Sequence, residues 1–183
     1  MNQLAQQQNH NLDRVILVDE KDQQIGVMDK VAAHRHPAKL HRASSVLLRN
    51  SKGKWLIQQR SSHKIVGAHQ WANACCGNLR PTEDYLECAN RRLQEELGIS
   101  NVELKKIDKL TYQVQCNDEF GEHEMDTVFI GQYDSEVEPN PLEVQDTRWI
   151  STQDLLAELE KNESDFAPWT KLVLNSLPDF SEE

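Results

Sequence analysis

The sequence predicts an α/β, or α+β, sandwich: mixed strands around one central helix, with further helices at the C-terminal end. Three observations carry that expectation. Short apolar runs come in pairs, "RVILVD" with "IGVM" and "SSVLLRN" with "KWLIQQR", and flank the turn-like "EKDQQ" and "SKG" as two hairpins would. A long segment, residues 83–97, has its apolar residues at helical spacing. "STQDLLAELEK" and "APWTKLVLNSL" repeat that spacing near the end, the first with Ser151 and Asp154 placed as at a capped helix start. Between these elements "WANAC", "KLTYQVQC", "EMDTVFIGQY" and "TRWI" read as strands.

A chain of 183 residues with 38% hydrophobic content can bury one core and not two. The polar "MNQLAQQQNHN" predicts a flexible tail over residues 1–12, followed by a single domain over 13–183. A net charge of −10 argues against a nucleic-acid or anionic-membrane surface, while leaving room for a local basic pocket around one small anion. The expected partner is a small molecule. No apolar run approaches the roughly 18 residues that span a bilayer. The four cysteines, Cys75, Cys76, Cys88 and Cys116, have no CxxC spacing and follow no secretory signal, so reduced thiols in a cytoplasmic protein are expected.

The central helix has a start and a stop. Thr82 is the expected N-cap, Glu83 and Asp84 suit the positive helix start, Leu86, Ala89, Leu93 and Leu97 form an apolar stripe, and Gly98 ends it. That leaves Glu87, Arg91 and Glu95 at four-residue steps, beside Arg92 and Glu96, also four apart. On an arbitrary helix these are solvated ion pairs worth about 0.2–0.5 kcal/mol each. Here Gly77, Glu83, Arg91, Glu95, Glu96, Gly98 and Ile99 fall at the spacing G-x5-E-x7-R-E-U-x-E-E-x-G-U and resemble the Nudix box, whose acids hold magnesium against a diphosphate. Arg92 stands where that box has a glutamate. Losing the acid removes charge that would hold Mg2+ and orient a water, and a cation in its place suits a site that grips diphosphate without cutting it.

With that departure, "DKVAAH", "LHRA", Arg60, Lys64, "NACCG", "TYQV", "EHE" and "APW", in this order along nearly the whole chain, resemble the type I isopentenyl-diphosphate isomerases. The resemblance implies a Nudix-like sandwich. It also implies an isomerase of isoprenoid biosynthesis that interconverts isopentenyl and dimethylallyl diphosphate by protonating and deprotonating the alkene. Such chemistry needs two proton-handling groups on opposite sides of a flat alkene, a dry aromatic pocket and a separate anchor for the diphosphate.

By the same resemblance Cys76 and Glu124 are the proton-handling groups, Tyr112 is the phenol beside the acid, and Trp169 offers an indole face to cationic charge. Strand alternation puts Cys75 on the other face, as packing. Lys30, Arg60, Lys64 and Arg92 are the implied diphosphate ligands, and Glu96 with the main-chain carbonyl of Cys76 is the implied contribution to a Mg2+ that also binds phosphate oxygens. A second divalent ion, Zn2+, Mn2+ or Mg2+, is implied at His34, His41, Glu122 and Glu124, the two acids sharing one strand face opposite His123. The family has a histidine two residues after the catalytic cysteine, where this chain has Asn78. An amide oxygen is a weaker donor than imidazole for Zn2+ and suits Mg2+ better. His69 reads as an exposed loop histidine, with compensation for Asn78 as its alternative role. Two other functions use the same motif: a Nudix hydrolase of another diphosphate, disfavoured by Arg92 and the thiol, and a diphosphate-binding protein whose catalysis is weakened through Asn78.

Overall fold

Nine strands join in one mixed sheet in the computed structural model, which describes residues 14–180. The expected tail over residues 1–12 lies outside the described residues. The chain opens as an antiparallel hairpin, β1 (Arg14–Val18) and β2 (Gln24–Asp29). A short helix that sequence periodicity did not predict follows, α1 (Lys30–His34), capped by Asp29 through a bond from the Ala32 amide. Five residues are too few for a helical period to show.

The centre of the sheet is β3 (His41–Arg49). It turns through residues 50–54, where the Asn50 side chain accepts from the Lys52 and Lys54 amides, into β4 (Trp55–Arg60). The expected strand "WANAC" is two strands, β5 (Trp71–Asn73) on β4 and β6 (Cys75–Asn78) on β3. β7 (Lys105–Gln115) and β8 (Gly121–Gln132) form a long hairpin, and β8 lies parallel to β3 from Glu124 to Gln132, the whole length of β3. β9 (Val144–Ile150) closes on β4.

The central helix, α2, runs Tyr85–Leu97. Its cap is Asp84 rather than Thr82. The Asp84 carboxylate accepts from the Glu87 amide while Glu87 accepts from the Asp84 amide, a reciprocal pair that leaves two helix-start donors satisfied. Thr82 sits in the preceding turn at φ +111°. Leu86 is correspondingly not on the buried stripe: it is exposed, and Cys88, Ala89, Leu93 and Leu97 carry the apolar face together with buried Arg92 and Glu96. Gly98 ends the helix at φ +67°, where an L side chain would be strained, and its amide and that of Ile99 return to Gln94 and Leu93 carbonyls.

Strand alternation gives the sheet two buried faces. Val46, Leu48, Cys75 and Phe129 pack against Ala89, Leu93 and Leu97 of α2. On the opposite face Leu47, Tyr112 and Val128 pack with Trp55, Trp169 and the C-terminal helices α3 (Thr152–Lys161) and α4 (Thr170–Leu174), through Leu155, Leu159, Val173 and Leu174. Ser151 caps α3 as expected, accepting from the Asp154 amide at 3.1 Å. Helices therefore cover both faces, as the predicted class requires. Among the described residues no helix is long and apolar enough to cross a membrane.

Leu93, 1% exposed at the centre of the α2 face, is the residue that most directly ties helix to sheet. Leu93→Ala is expected to cost about 2–5 kcal/mol in urea unfolding. A loss below about 1 kcal/mol would mean that α2 is held by its ends and not by this contact.

Candidate active site

The site grows from three neighbouring strands. In register, Ser45 of β3 faces Cys76 of β6, Ala43 faces Asn78, and His41 lies beside Glu124 of β8. Residues at even steps share a face, so Cys76, Asn78, His41, Glu122 and Glu124 converge while Cys75 turns under α2. Tyr112 of β7 lies opposite Glu124 and donates its hydroxyl to Glu124 Oε2.

This face floors a cavity of about 760 Å3. Cys76, Asn78, Glu122, Glu124, His34 and Trp169 line it, and so do Lys30, Arg60, Lys64 and Arg92. His41, Tyr112 and Glu96 are not among the residues that line it; His41 and Tyr112 lie directly behind it, against Asn78 and Glu124. The loop residue His69 is elsewhere, with Nδ1 2.9 Å from Gln145 Oε1.

Cys76 is a half-buried thiol whose pKa is pushed up to about 12, by loss of solvent first, with the nearby Arg60 charge pulling the other way. Arg60 Nη1 lies 3.9 Å from its sulfur. Glu124 is pushed up by burial too, but the hydrogen bonds and charges of His41, Tyr112 and His34 outweigh that and hold its carboxyl below the usual range. At neutral pH Cys76 thus keeps its proton while Glu124 has given up its own. Arg60 also donates to the Val66 carbonyl and stacks 4.9 Å over the Trp169 ring. The Trp169 indole nitrogen, buried, has no hydrogen-bond partner.

His34, His41, Glu122 and Glu124 offer ligand atoms that all lie within 4.8 Å of one another. His34 Nδ1 is 2.6 Å from the Lys30 carbonyl and His41 Nδ1 is 2.7 Å from the Lys39 carbonyl. Each Nδ1 must be the donor there, so each neutral ring presents an Nε2 lone pair to the cluster. His34 Nε2 stands 3.0 Å from Glu122 Oε2, which has no aligned hydrogen-bond donor. Only a proton or a cation makes that approach attractive. Burial opposes the charged ring, yet Glu122 raises the His34 pKa. The set fits a divalent ion: two imidazoles fixed in the ligating tautomer and two carboxylates. Asn78 joins it through its amide nitrogen, which donates to Glu124 Oε1 at 2.8 Å and to His41 Nε2 at 3.0 Å.

The Nudix-box residues make a separate charge network. Arg92 donates from Nε to Glu96 Oε1 at 2.9 Å, from Nη1 to Glu95 at 2.8 Å, and from Nη2 to both Glu96 and Glu143. Glu96 is fully buried and its Oε2 accepts from Gln58 at 2.7 Å. Arg91 holds Glu83 at 2.5 Å and Glu95 at 3.0 Å; these three are half-buried, Arg92 and Glu96 are buried, and of the residues at four-residue spacing only Glu87 lies on an exposed face. Gly77 is required here by close approach: a Cβ would come within 2.6 Å of Arg92 Cγ. Three members were not read from the sequence: Glu143, Gln58 and Arg80, which pairs with Glu95 at 3.2 Å. Glu143 and Arg80 sit in irregular segments, where no period marks a side chain as inward.

The NUDIX domain family matches residues 39–170. Among solved structures, DR0079 from Deinococcus radiodurans superposes with a TM-score of 0.72 at 21% identity, over 89% of this chain and 96% of that one. The chain thus has the Nudix fold, with a cation-ringed cavity on the helix-capped sheet. An isopentenyl-diphosphate Delta-isomerase of Nocardia farcinica is 39% identical over 162 residues, 87% of this chain and 91% of its own. One from Aromatoleum aromaticum is 37% identical over 171 residues, 93% and 96% respectively. The chain belongs to the isopentenyl-diphosphate Delta-isomerase family of Nudix-domain proteins.

Removing Arg92 leaves Glu96 as a buried charge without its main partner. Arg92→Ala is expected to destabilise the fold by about 3–5 kcal/mol at neutral pH. The pH dependence has a definite sign. Burial pushes Glu96 up, but Arg92 and then Lys64 hold it below its unfolded value, so the wild type loses this stability as pH falls through the folded pKa. In the variant burial dominates, the folded state takes up the proton first, and acid stabilises. The difference between the two proteins in urea unfolding should therefore shrink from about pH 8 to about pH 5. A difference that stays constant or grows would contradict the ion-pair account.

Proposed function

We propose that this chain interconverts isopentenyl diphosphate and dimethylallyl diphosphate, with Cys76 and Glu124 as its two proton-handling groups. The observation that carries the reading is the pairing, in one cavity, of a thiol that holds its proton with a carboxylate that does not. A proton added to the terminal methylene leaves cationic charge on the tertiary carbon. Loss of a proton from the carbon next to the diphosphate-bearing one then gives the trisubstituted alkene. One group gives a proton and the other takes one, so the net charge of the pair is unchanged and the roles reverse for the opposite direction. Tyr112, bonded to Glu124, is placed to pass a proton to or from that carboxylate.

The cavity suits the intermediate as well. Trp169 and Cys76 belong to the apolar cluster on this face, which keeps water from the cation. Arg60 covers one face of the indole, so the opposite face or the edge is left for the carbocation. Lys30, Arg60, Lys64 and Arg92 ring the diphosphate end. Burial, then repulsion by Lys64 and Arg92, depresses the Lys30 pKa, as expected where several cations converge on one pocket. Arg92 in the box disfavours hydrolysis, because Glu95 and Glu96 are spent on a guanidinium. Free thiols at all four cysteines accord with a cytoplasmic setting.

Glu96 and the Cys76 carbonyl are the groups we assign to a Mg2+ that travels with the diphosphate; Glu96 Oε2 keeps one lone-pair direction beyond its bond from Gln58. His34, His41, Glu122 and Glu124 are assigned to the second ion, which when bound supplies positive charge beside Glu124. Asn78 spends both amide hydrogens on Glu124 and His41, and offers an oxygen only by turning the amide over. It is the weak member of the set.

Two tests follow from these assignments. Cys76→Ala and Glu124→Gln should each abolish interconversion, followed by NMR, with the fold intact, while Cys75→Ala, buried under α2, should be nearly silent. An active Cys76→Ala with a dead Cys75→Ala would reverse the facing assigned to β6. Asn78→His should raise the content of bound metal in the purified protein and raise kcat with little change in KM, because the cluster orients Glu124 and not the diphosphate. Full metal occupancy in the wild type would show Asn78 to be a competent ligand already.

A further inference from the structure

Glu143 has no part in the chemistry described above, yet it stands inside the cation ring. Its Oε2 lies 2.5 Å from Lys64 Nζ and 3.1 Å from Arg92 Nη2. Burial pushes this carboxyl up, but Lys64 and Arg92 pull it down to about 2, so it is an anion at any working pH. The other acids on Arg92 have further partners: Glu95 also meets Arg80 and Arg91, and Glu96 also accepts from Gln58. Among the described residues, the Glu143 carboxylate bonds only the two cations assigned to diphosphate.

Nor is the carboxylate on a loose arm. The Ser61 amide donates to the Glu143 carbonyl at 3.0 Å, and the Ser61 hydroxyl donates to the Leu142 carbonyl at 2.7 Å. The Glu143 amide donates to the Asn140 carbonyl, and the Asn140 amide to the Glu96 carbonyl, both at 2.9 Å. The segment is thus stitched both to the end of α2 and to the loop that carries Lys64. These bonds hold the Glu143 backbone, and its carboxylate is held in turn by Lys64 and Arg92. Arg92, meanwhile, has four of its five N–H groups engaged by Glu95, Glu96 and Glu143. A diphosphate that approaches Lys64 and Arg92 therefore meets a negative charge already on them.

We infer that Glu143 is a specificity-determining residue of this pocket: a built-in anion that competes with the diphosphate for Lys64 and Arg92, and so makes tight binding depend on a divalent cation that arrives with the diphosphate. The inference rests on the reading that the ring binds diphosphate. A metal-free diphosphate and the Glu143 carboxylate repel across a few ångströms of partly buried space, and a divalent cation bound to the diphosphate cancels that repulsion. The residue thereby selects the metal complex over the free anion.

The test is calorimetric titration of the full chain with inorganic diphosphate, once with chelator and once with saturating Mg2+. Glu143→Gln keeps the size of the side chain and removes its charge; Glu143→Ala removes the group and controls for new contacts by the amide. Melting temperatures of both variants establish that they are folded. Both are expected to bind metal-free diphosphate about tenfold more tightly than the wild type, and the Mg2+-saturated affinity should change by less than about threefold. The Mg2+ dependence of binding shrinks accordingly. Unchanged or weaker metal-free binding in both folded variants, or an undiminished Mg2+ dependence, would overturn the inference and leave the diphosphate reading standing. No binding of diphosphate by any of the three proteins under either condition would overturn both.

Discussion

The pairing of β3 with β6 on one edge and β8 on the other is the constraint on which the site depends. Backbone ladders lock Ser45 against Cys76 and His41 beside Glu124, and the two-residue period of a strand does the rest. A slip of one residue in β6 would bring Cys75 to the cavity and drive Cys76 and Asn78 under α2. The register is fixed by what the other face buries: Val46, Leu48, Cys75 and Phe129 against Leu93 and Leu97. The chemistry of one face is thus held in place by the hydrophobic burial of the other.

Two charge systems share the cavity and stay distinct. The His/Glu cluster sits on the sheet, with its imidazoles held in the ligating tautomer by backbone carbonyls. The Arg92 network belongs to α2 and the loops, where carboxylates are used to orient cations. In a hydrolase box the acids of this helix would gather a metal. Here one substitution turns the same helix into a holder for a guanidinium, and the acids Glu95 and Glu96 become its partners. The cation-lined end of the cavity is therefore electrostatically organised by the chain's own carboxylates, and an anion that binds there needs little further reorganisation of these groups.

Much of this was legible in the chain because strands and the α2 helix carry periods that a sequence displays. The opposite facing of Cys75 and Cys76, the shared face of Glu122 and Glu124, and the helix stop at Gly98 follow from spacing, while the choice of Cys76 as the one toward the site rests on the resemblance. The cap did not, because Thr82, Glu83 and Asp84 are all acceptable starts and only the reciprocal bond between Asp84 and Glu87 chooses among them. α1 is too short to show a period, although the residues it carries, Lys30 and His34, were singled out by resemblance. Glu143 lies just before β9 in a segment fixed by backbone bonds to distant residues, and such bonds leave no local trace in sequence. Asn78 was visible as a departure from the family, but its use of the amide nitrogen as a double donor is a fact of three dimensions.

The central claim is that this cavity moves protons on and off an alkene while leaving the diphosphate whole. Incubation of the wild-type protein with isopentenyl diphosphate and Mg2+ in D2O, followed by NMR and phosphate analysis, tests it most directly. The account predicts dimethylallyl diphosphate with deuterium in a methyl group, deuterium next to the diphosphate-bearing carbon of the isopentenyl diphosphate re-formed by the reverse reaction, and no release of phosphate. Phosphate or diphosphate release without deuterium incorporation would contradict it in favour of hydrolysis, and recovery of unlabelled, unchanged substrate would show a pocket that binds without catalysing.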